Sequence, residues 1–284
     1  MRVLILGASG MLGNAMYRIF SEIPENTVFG SVRNASSLRY FSADLQRNIL
    51  HGVDVESQDA LTRLFGSVQP DVVINCVGLV KQLAESDDPL LTIPINSLLP
   101  HRLAGLCQVA GARLVHISTD CVFSGEKGNY REGDPPDAED LYGRTKLLGE
   151  VDYPHAMTVR TSIIGHELAG NRSLINWFLS QEGTVKGYTK AIFSGLPTVV
   201  LAKVVRDVIV PRPELRGMYH VAAQPIAKFD LLRLVADIYG KSTTIERNDS
   251  LVIDRSLNPA RFHAATGYTA PEWGDMIRTM HQYR

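Results

Sequence analysis

The sequence predicts an α/β protein built on a doubly wound parallel sheet, and three features of the chain support this fold class. Apolar strand segments alternate with helical segments over the first 165 residues, which is the pattern of strand–helix–strand units. The first segment, RVLIL, is a continuous apolar run of the kind found in buried parallel strands. A glycine-rich turn follows it directly and opens a helix, as in Rossmann-like folds.

The individual elements follow from local patterns along the chain. Short apolar runs between turn residues predict strands over residues 2–6, 27–32, 49–53, 71–78, 113–118 and 156–165. Apolar residues at three- and four-residue spacing predict helices over residues 11–20, 57–68, 100–110 and 142–151. Each of these helices connects two strands, as parallel pairing requires.

The pattern changes after residue 165, where the elements become shorter and less regular. Helices are predicted near residues 174–180, 201–210, 228–239 and 273–282. We predict a Rossmann-like domain over residues 1–165 and a smaller C-terminal α/β cap over residues 166–284, with the two interleaved around residues 190–225. A polar loop rich in glycine and proline, residues 124–140, is long enough to be functional or mobile.

The composition is that of an ordinary globular protein, with 45% hydrophobic and 21% charged residues in a chain of 284. A net charge of −1 argues against a nucleic-acid partner, and no apolar run reaches the ~20 residues of a membrane-spanning helix. Gly-Ala-Ser-Gly breaks the apolar N-terminus, which predicts a strand and not a signal peptide. Three cysteines without metal-ligand spacing predict reduced thiols in a cytoplasmic protein.

The segment GASGMLG places three glycines directly after the first strand, at the start of the first helix. This context predicts a nucleotide-binding turn, in which Gly7 allows the tight turn and Gly10 lets the backbone approach a pyrophosphate. Gly13 allows close helix–strand packing, and the helix N-terminus offers its positive dipole end to the phosphates. A glycine-rich turn without a ligand is the alternative. The predicted cofactor contacts in this turn are Gly7, Ser9, Gly10, Met11, Leu12 and Gly13.

The end of the second strand bears on the choice of nucleotide. An acidic residue there would bind the adenosine ribose of NAD, but this chain has Ser31 and Arg33 instead. Because a guanidinium suits a 2′-phosphate, Arg33 favours NADPH, with NADH as the alternative if Arg33 is only a solvated surface residue. Asp54 is placed to hold the adenine amino group or to cap the following helix. The remaining predicted cofactor contacts are Val55, Cys76, Val77, Gly78 and Asn96.

Tyr142 and Lys146 are four positions apart in a predicted helix, so their side chains share one face. A protonated amine favours the phenolate form of a neighbouring tyrosine, which lowers the phenol pKa toward the range of a useful proton donor. The same spacing occurs by chance in many helices, so the pair identifies a catalytic site only with support from the rest of the chain.

That support comes from several motifs that together resemble the extended short-chain dehydrogenase/reductase superfamily, and within it the dTDP-4-dehydrorhamnose reductases. The segment ISTDCVFSG resembles that family's S-T-D-Y-V-F-x-G motif, and NYREGDPPDAEDLYGRTKLLGE resembles its Y-x-E-x-D and Y-G-x-S-K-x-x-G-E motifs. The segments PINSLLPHRLAGLCQVAGARLVHIS and DRSLNPARFHAATGYTAPEWGDMIR also resemble stretches of that family. The similarity extends over nearly the whole chain and is most specific from Leu114 to Glu150.

The resemblance implies roles for three catalytic residues. Tyr142 would donate a proton to the substrate carbonyl, Lys146 would lower the pKa of Tyr142 and hold the nicotinamide ribose, and Thr119 would hydrogen-bond the reacting oxygen. Ser118 is the competing candidate for the last role. The implied activity is NADPH-dependent reduction of a nucleotide-diphospho-4-keto-6-deoxy sugar, in deoxysugar synthesis for surface polysaccharide.

The resemblance also implies substrate contacts from Thr119, Asp120, Cys121, Ile163 and Arg255. Cys121 stands where the family has tyrosine, and Ile163 stands where it has tryptophan, so the identity of the sugar is open. Arg255 would face the diphosphate or form a surface ion pair. The family's magnesium-linked dimers depend on glutamates without a match in this chain, so we expect no metal and leave a homodimer as one alternative.

Two other functions fit the same fold. The regulatory β subunit of methionine adenosyltransferase resembles this chain and binds NADP, but Thr119, Tyr142 and Lys146 are all present here, which favours an enzyme. A sugar-nucleotide epimerase or dehydratase is the third alternative. Dehydratases carry a glutamate directly after the aspartate, where this chain has Cys121.

Overall fold

The computed structural model describes residues 1–80 and 87–284, which form two compact units. The first unit comprises Met1–Ser118, Glu139–Val159 and Ala202–Met218. The second unit comprises Thr119–Ala138, Arg160–Leu201 and Tyr219–Arg284. Both units are therefore assembled from segments that are distant along the chain.

The strands are short. In chain order they are β1 Arg2–Leu6, β2 Thr27–Val32, β3 Ile49–His51, β4 Val72–Asn75, β5 Arg113–Thr119, β6 Ala156–Thr161, β7 Ile163–Ile164, β8 Thr184–Tyr188, β9 Ala191–Phe193, β10 Leu196–Pro197, β11 Gly217–His220, β12 Ile226–Ala227, β13 Thr244–Asn248 and β14 Ile253–Asp254. Strands β1 to β7 lie at the apolar runs that predict strands, whereas the sequence does not predict β8 to β14.

The helices connect these strands. They are α1 Met11–Ser21, α2 Ala43–Gln46, α3 Gln58–Val68, α4 Pro89–Thr92, α5 Leu99–Ala110, α6 Leu141–Leu148, α7 Leu174–Ser180, α8 Thr198–Val204, α9 Lys228–Tyr239, α10 Ala260–Thr266 and α11 Trp273–Gln282. Among the described residues, no helix is both long enough and apolar enough to cross a bilayer.

The main sheet has the strand order β11-β6-β5-β4-β1-β2-β3. Strand β1 pairs in parallel with both β2 and β4, so the chain builds the sheet outward from β1 in two directions. The pairs β2–β3 and β4–β5 are also parallel. This order is that of a Rossmann-like doubly wound fold and confirms the predicted fold class.

A hydrophobic core fixes the carboxyl ends of these strands relative to the helices. Leu4 and Leu6 of β1 pack with Leu61 of α3 and Leu103 of α5, and all four are fully buried. Burying a leucine side chain contributes about 1.5–3 kcal/mol, so this layer holds the end of β1 in place.

The structure differs from the sequence predictions at several boundaries. Helix α3 begins at Gln58, and the hydroxyl of Ser57 accepts a hydrogen bond from the Ala60 N–H, so the alternative that Asp54 caps this helix is wrong. The long strand predicted over residues 156–165 is two strands, β6 and β7, separated by Ser162. The helix predicted over residues 201–210 begins at Thr198 and continues as a π-helical turn over Val205–Ile209.

In the second unit, the loop after β5 is held by a ring stack and hydrogen bonds between its own residues. The Tyr130 ring stacks on Phe123 with centroids 4.1 Å apart, and its hydroxyl accepts hydrogen bonds from the N–H groups of Gly125 and Lys127, both at 3.1 Å. Gly125 has φ +92°, a conformation that glycine adopts without strain. A buried aromatic pair therefore fixes the first half of this loop.

Candidate functional site

The glycine-rich turn between β1 and α1 has the geometry of a phosphate-binding turn. Gly7 has φ +81°, and a side chain on Gly13 would overlap the carbonyl oxygen of Gly7. Glycine is therefore required at both positions for the turn and for the close approach of α1 to β1. Gly10 is exposed, and its N–H donates to the Gly7 carbonyl at 2.9 Å, which closes the turn.

The N-terminus of α1 suits an anion. Gly10 is its N-cap residue, and no side chain among the described residues caps it. The N–H groups of a first helical turn have no intrahelical partners, and the helix dipole places positive charge there. Ser9 and Met11 are partly exposed beside this end, whereas Leu12 is buried in the helix–sheet interface. The residues present therefore fit a dinucleotide pyrophosphate.

The end of β2 supports the glycine turn and presents a cation. Ser31 is buried, its carbonyl accepts a hydrogen bond from the Ala8 N–H at 2.9 Å, and its hydroxyl accepts one from the Gly7 N–H at 3.4 Å. Arg33 is exposed, and among the described residues no acidic side chain pairs with it. The end of this strand can therefore offer a guanidinium to a ligand.

The predicted adenine contacts follow β3. Asp54 is exposed, and its carboxylate accepts a hydrogen bond from the Glu56 N–H at 3.0 Å. Val55 is half-buried and packs against the hydrophobic core. The adenine contacts of Asp54 and Val55 stay predictions.

The segment after β4 is held by an amide clamp. The side-chain oxygen of Asn96 accepts a hydrogen bond from the Leu79 N–H at 2.9 Å, and its nitrogen donates to the Leu79 carbonyl at 3.1 Å. Asn96 lies in a π-helical turn, Ile93–Leu98, and is almost fully buried. It therefore positions the chain after Cys76, Val77 and Gly78, and the cofactor contact of Asn96 stays a prediction.

Helix α6 carries Tyr142 and Lys146 on one face, as the spacing predicts. The Asp140 carboxylate caps its N-terminus by accepting a hydrogen bond from the Gly143 N–H at 2.7 Å. Near its C-terminus, a side chain on Gly149 would overlap the carbonyl oxygen of Asn96, so only glycine allows this close packing. Both ends of the short helix are thus fixed. Tyr142 is half-buried and Lys146 is 5% exposed.

The ammonium group of Lys146 is buried near the sheet. Its Nζ donates to the Ile117 carbonyl of β5 at 2.8 Å. Burial lowers the pKa of Lys146 to about 8, and the nearby Glu150 and Cys76 oppose that shift. Burial also raises the pKa of the Cys76 thiol to about 12, and the charge of Lys146 opposes that shift. Two further N–H donors of the ammonium remain for Tyr142 or a cofactor ribose.

Two buried polar residues of β5 have side-chain partners that the sequence did not predict. Ser118 donates a hydrogen bond to the Glu150 carboxylate at 2.7 Å, so its hydroxyl hydrogen is directed away from a substrate. His116 Nδ1 lies 3.1 Å from the Asn75 side-chain nitrogen, and burial holds the pKa of His116 well below its usual value. Both residues lie on β5, where the sequence named Ser118 only as a competitor of Thr119 and gave no signal of a polar role for His116.

The second unit brings together the other predicted substrate residues. Thr119 and Asp120 are each 8% exposed. The Thr119 hydroxyl accepts a hydrogen bond from the Cys121 N–H at 3.1 Å and lies 3.2 Å from the Asp120 carboxylate. Burial raises the pKa of Asp120, while the charge of Arg255 and hydrogen bonds from Cys121, Thr119 and Ser162 oppose that shift.

Arg255 contacts this group. Its Nε donates to the Phe123 carbonyl at 2.7 Å, and its Nη1 lies 3.9 Å from the Cys121 sulfur. Ile163 is half-buried in β7, where it pairs with Leu196. The sequence-predicted residues therefore fall into two sets. The first unit carries the cofactor candidates with Tyr142 and Lys146, and the second carries the sugar-binding candidates.

A doubly wound sheet with a glycine turn after β1 and a Tyr–Lys pair on α6 defines a nucleotide-dependent enzyme class, the extended short-chain dehydrogenase/reductases. Within this class, residues 1–261 match the family model described as RmlD substrate binding domain. The chain belongs to this family, which includes the dTDP-4-dehydrorhamnose reductases.

Three similar proteins illustrate the family. The probable low-salt glycan biosynthesis reductase Agl14 of Haloferax volcanii is 27% identical over 268 residues, covering 90% of this chain and 86% of that protein. Methionine adenosyltransferase 2 subunit beta of Danio rerio is 29% identical over 255 residues, covering 84% and 74%. A crystal structure of dTDP-4-dehydrorhamnose reductase from Bacillus anthracis in complex with NADP has the same fold, with a TM-score of 0.81, 19% identity and coverage of 100% and 99%.

Proposed function

We propose that the protein is an NADPH-dependent reductase of a nucleotide-diphospho-4-keto-6-deoxy sugar, which acts in deoxysugar synthesis for surface polysaccharide. Membership of a sugar-nucleotide reductase family supports this proposal. The Haloferax volcanii relative is named as a probable glycan biosynthesis reductase, which supports a role in polysaccharide synthesis. Cys76, Cys107 and Cys121 form no disulfide with one another, which is consistent with a cytoplasmic setting.

The buried Lys146 is the observation that carries the proposal. A lysine that is 5% exposed loses most of its hydration, and its Ile117 contact satisfies only one of three donors. Such a desolvation cost is common at sites where the charge has a chemical task. Tyr142, one turn earlier on α6, is the side chain of this helix face that such a charge would activate.

The proposed mechanism assigns one task to each residue. Reduced nicotinamide, when bound, supplies a hydride to the C4 ketone. Tyr142 donates a proton to the ketone oxygen, and the positive charge of Lys146 stabilises the phenolate that forms. Thr119 donates a hydrogen bond to the same oxygen as negative charge develops on it. Ser118 is the weaker candidate for this role, because its hydroxyl hydrogen is used by Glu150.

The proposed choice of NADPH depends on the end of β2. Arg33 is exposed there, and β2 ends without an acidic residue that would bind an unphosphorylated ribose. A guanidinium forms bidentate hydrogen bonds with a phosphate, so Arg33 is the proposed ligand of the 2′-phosphate. The Bacillus anthracis reductase of the same fold was solved with NADP, which supports this choice. NADH remains the alternative cofactor.

A direct assay tests the function. The purified protein is mixed with NADPH and with dTDP-, UDP- and GDP-linked 4-keto-6-deoxy sugars, and the loss of reduced cofactor is followed. We expect turnover of at least one substrate, and product with a reduced C4 carbon. A protein that binds NADPH but reduces none of these sugars would instead fit a regulatory subunit.

The regulatory alternative has specific support from the Danio rerio methionine adenosyltransferase subunit beta, which is similar over most of its length. A binding module needs the glycine turn but has no need of a buried Lys146. This chain has a buried Lys146 despite the desolvation cost. The enzyme is therefore favoured over the binding module. An epimerase would return its hydride to the sugar, so net oxidation of NADPH in the assay distinguishes it from a reductase.

A further inference from the structure

The end of strand β5 receives two oppositely charged side chains. The Lys146 ammonium of α6 donates to the Ile117 carbonyl at 2.8 Å, and the Ser118 hydroxyl donates to the Glu150 carboxylate at 2.7 Å. The Ile117 carbonyl belongs to the peptide group that leads into Ser118, so the two contacts lie at neighbouring positions of the strand. Glu150 is absent from the set of residues that the sequence predicts for the site.

The backbone of Glu150 is fixed on both sides. Its N–H donates to the Leu147 carbonyl at 3.1 Å, which continues the helical turn beyond α6. Before it, Gly149 packs so closely on a backbone carbonyl that a side chain there would overlap the oxygen. After it, the Thr158 hydroxyl accepts from the Val151 N–H at 3.0 Å and donates to the Val151 carbonyl at 2.9 Å. Glu150 is therefore held one helical turn beyond the buried lysine.

The surroundings make a counter-charge effective. Lys146 is 5% exposed and Glu150 is half-buried, so water screens the two charges only in part. Burial lowers the pKa of Lys146 to about 8, and the charge of Glu150 is the larger of the two effects that oppose this shift. The other titratable side chains that face this lysine, among the described residues, are Cys76 after β4, His116 of β5 and Tyr142 of α6. None of these is a carboxylate, so Glu150 is the group that can supply the counter-charge.

We propose that Glu150 is a positioning residue for the reduction: its carboxylate, held by the Ser118 hydroxyl, is the counter-charge that keeps the buried Lys146 protonated beside Tyr142. The inference rests on the proposed function, because Lys146 acts there by activating Tyr142. The role requires no contact of Glu150 with substrate or cofactor, and no proton is transferred to it.

Two variants separate the charge of Glu150 from its shape. Glutamine has the size of glutamate, and its amide oxygen can still accept from Ser118, so Glu150→Gln removes only the charge. Glu150→Asp keeps the charge on a shorter side chain. If the charge matters, Glu150→Asp stays closer to wild type than Glu150→Gln, whereas a packing role predicts the reverse order. Glu25→Gln is the control, because Glu25 is an exposed glutamate of the same unit.

The pH profile of kcat is the first measurement. Lys146 supports the reaction only while it is protonated, so kcat should fall as the pH rises and this lysine loses its proton. Loss of the counter-charge should move that fall to lower pH by about one unit in Glu150→Gln. This variant would then be about fivefold slower than wild type at pH 8 and within about twofold of it at pH 6. The fall should move by less than about half a unit in Glu150→Asp and should not move in Glu25→Gln.

Unfolding in urea is the second measurement, and it needs no substrate. An unfolded lysine titrates near pKa ~10.4, so the cost of burying the Lys146 charge is present below the folded pKa of about 8 and is lost as the pH rises toward ~10.4. Without the carboxylate this cost is larger. The urea midpoint of Glu150→Gln should therefore lie below that of wild type at pH 7, and the gap should narrow by pH ~10.5.

Three outcomes overturn the proposal. The first is a kcat profile of Glu150→Gln that runs parallel to that of wild type. The second is a fall in kcat that moves as far in Glu150→Asp as in Glu150→Gln. The third is a gap in urea midpoint that is equal at the two pH values, because a loss of packing alone would give that result. A wild type that reduces no 4-keto sugar nucleotide would remove the proposed function and the catalytic role with it, whereas the urea comparison would still show whether Glu150 supports the charge of Lys146.

Discussion

The Lys146 ammonium lies 2.8 Å from the Ile117 carbonyl oxygen, which joins helix α6 to the strand that ends at Thr119. A single carbonyl does not replace the hydration of a cation, and burial lowers the pKa of Lys146 to about 8. The protein therefore holds this charge at neutral pH at a cost in stability. The first prediction measures that cost.

Replacing Lys146 with methionine should stabilise the fold while abolishing activity. An unfolded lysine titrates near pKa ~10.4, so below pH ~8 both states are protonated and the wild type bears the cost of a buried charge. With a folded pKa of about 8, this cost is about 3 kcal/mol, reduced by about 1 kcal/mol for the lost Ile117 hydrogen bond. Urea unfolding at pH 7 should show Lys146→Met to be more stable than wild type.

The sign of the pH dependence provides a second check. Between pH ~8 and ~10.4 the unfolded state binds more protons, so wild-type stability rises with pH and the advantage of Lys146→Met shrinks. Lys203, an exposed lysine of α8 in the same unit, is the matched control, and Lys203→Met should show no such trend. A Lys146→Met protein less stable than wild type at pH 7 would contradict the desolvation argument.

Tyr142→Phe should remove the proton donor and little else. The expected loss in kcat is roughly 10²–10⁴, the range for a general acid, with NADPH affinity nearly unchanged. Tyr153→Phe is the control, since Tyr153 is 40% exposed and its hydroxyl contacts only His101 among the described residues. Stopped-flow single-turnover rates separate chemistry from release. Wild-type turnover in Tyr142→Phe would leave the tyrosine with a structural role only.

The fold was predictable because its signals are local. The apolar run of β1, the three glycines after it and the spacing of Tyr142 and Lys146 each identify an element without knowledge of the rest. Boundaries were less predictable. Ser57, not Asp54, caps α3, because the Ser57 hydroxyl is the group that reaches the Ala60 N–H. Sequence alone offers two plausible caps three residues apart.

The supporting contacts of the site could not be predicted from sequence. The side chain of Asn96, in a π-helical turn, is hydrogen-bonded to the backbone of Leu79. The residue types at these two positions do not predict that they are partners. Lys146 donates its hydrogen bond to a main-chain oxygen of Ile117. Because every residue has such an oxygen, the residue type at position 117 does not predict this contact. Thr119 and Asp120 are adjacent in sequence, so their contact is easy to anticipate. The burial of both side chains, which makes this contact important, is visible only in the structure.

Arg33→Ala should weaken NADPH binding more than NADH binding, because only NADPH carries the 2′-phosphate. Charge-assisted hydrogen bonds contribute about 1.5–3 kcal/mol, so the ratio of the two dissociation constants should shift by about tenfold or more. Arg47→Ala is the control for loss of one positive charge, since Arg47 is exposed and pairs only weakly with the exposed Asp44. Equal losses for the two cofactors in Arg33→Ala would show that another group binds the phosphate.

The last prediction concerns the sugar. Cys121 and Ile163 are smaller than the tyrosine and tryptophan of the resembled family, and unfilled space costs packing contacts. The Arg255 guanidinium, with Nη1 3.9 Å from the Cys121 sulfur, adds hydrogen-bond donors beside that space. A bulkier sugar with an acceptor, such as an N-acetyl group, fits both features. We therefore expect a UDP-linked 2-acetamido-4-keto-6-deoxy sugar to be preferred over the dTDP-rhamnose precursor.

The ratio of kcat/KM for the two sugars measures this preference directly. Cys121→Tyr/Ile163→Trp should shift the ratio toward the rhamnose precursor, because two large aromatic side chains refill the space that the acetamido group would occupy. Arg255→Lys keeps the charge but loses the planar donor pair, and should lower kcat/KM for the N-acetyl sugar more than for the plain one. A wild-type preference of about tenfold or more for the rhamnose precursor would rule out the N-acetyl substrate, since it would mean that other residues already fill this side of the pocket.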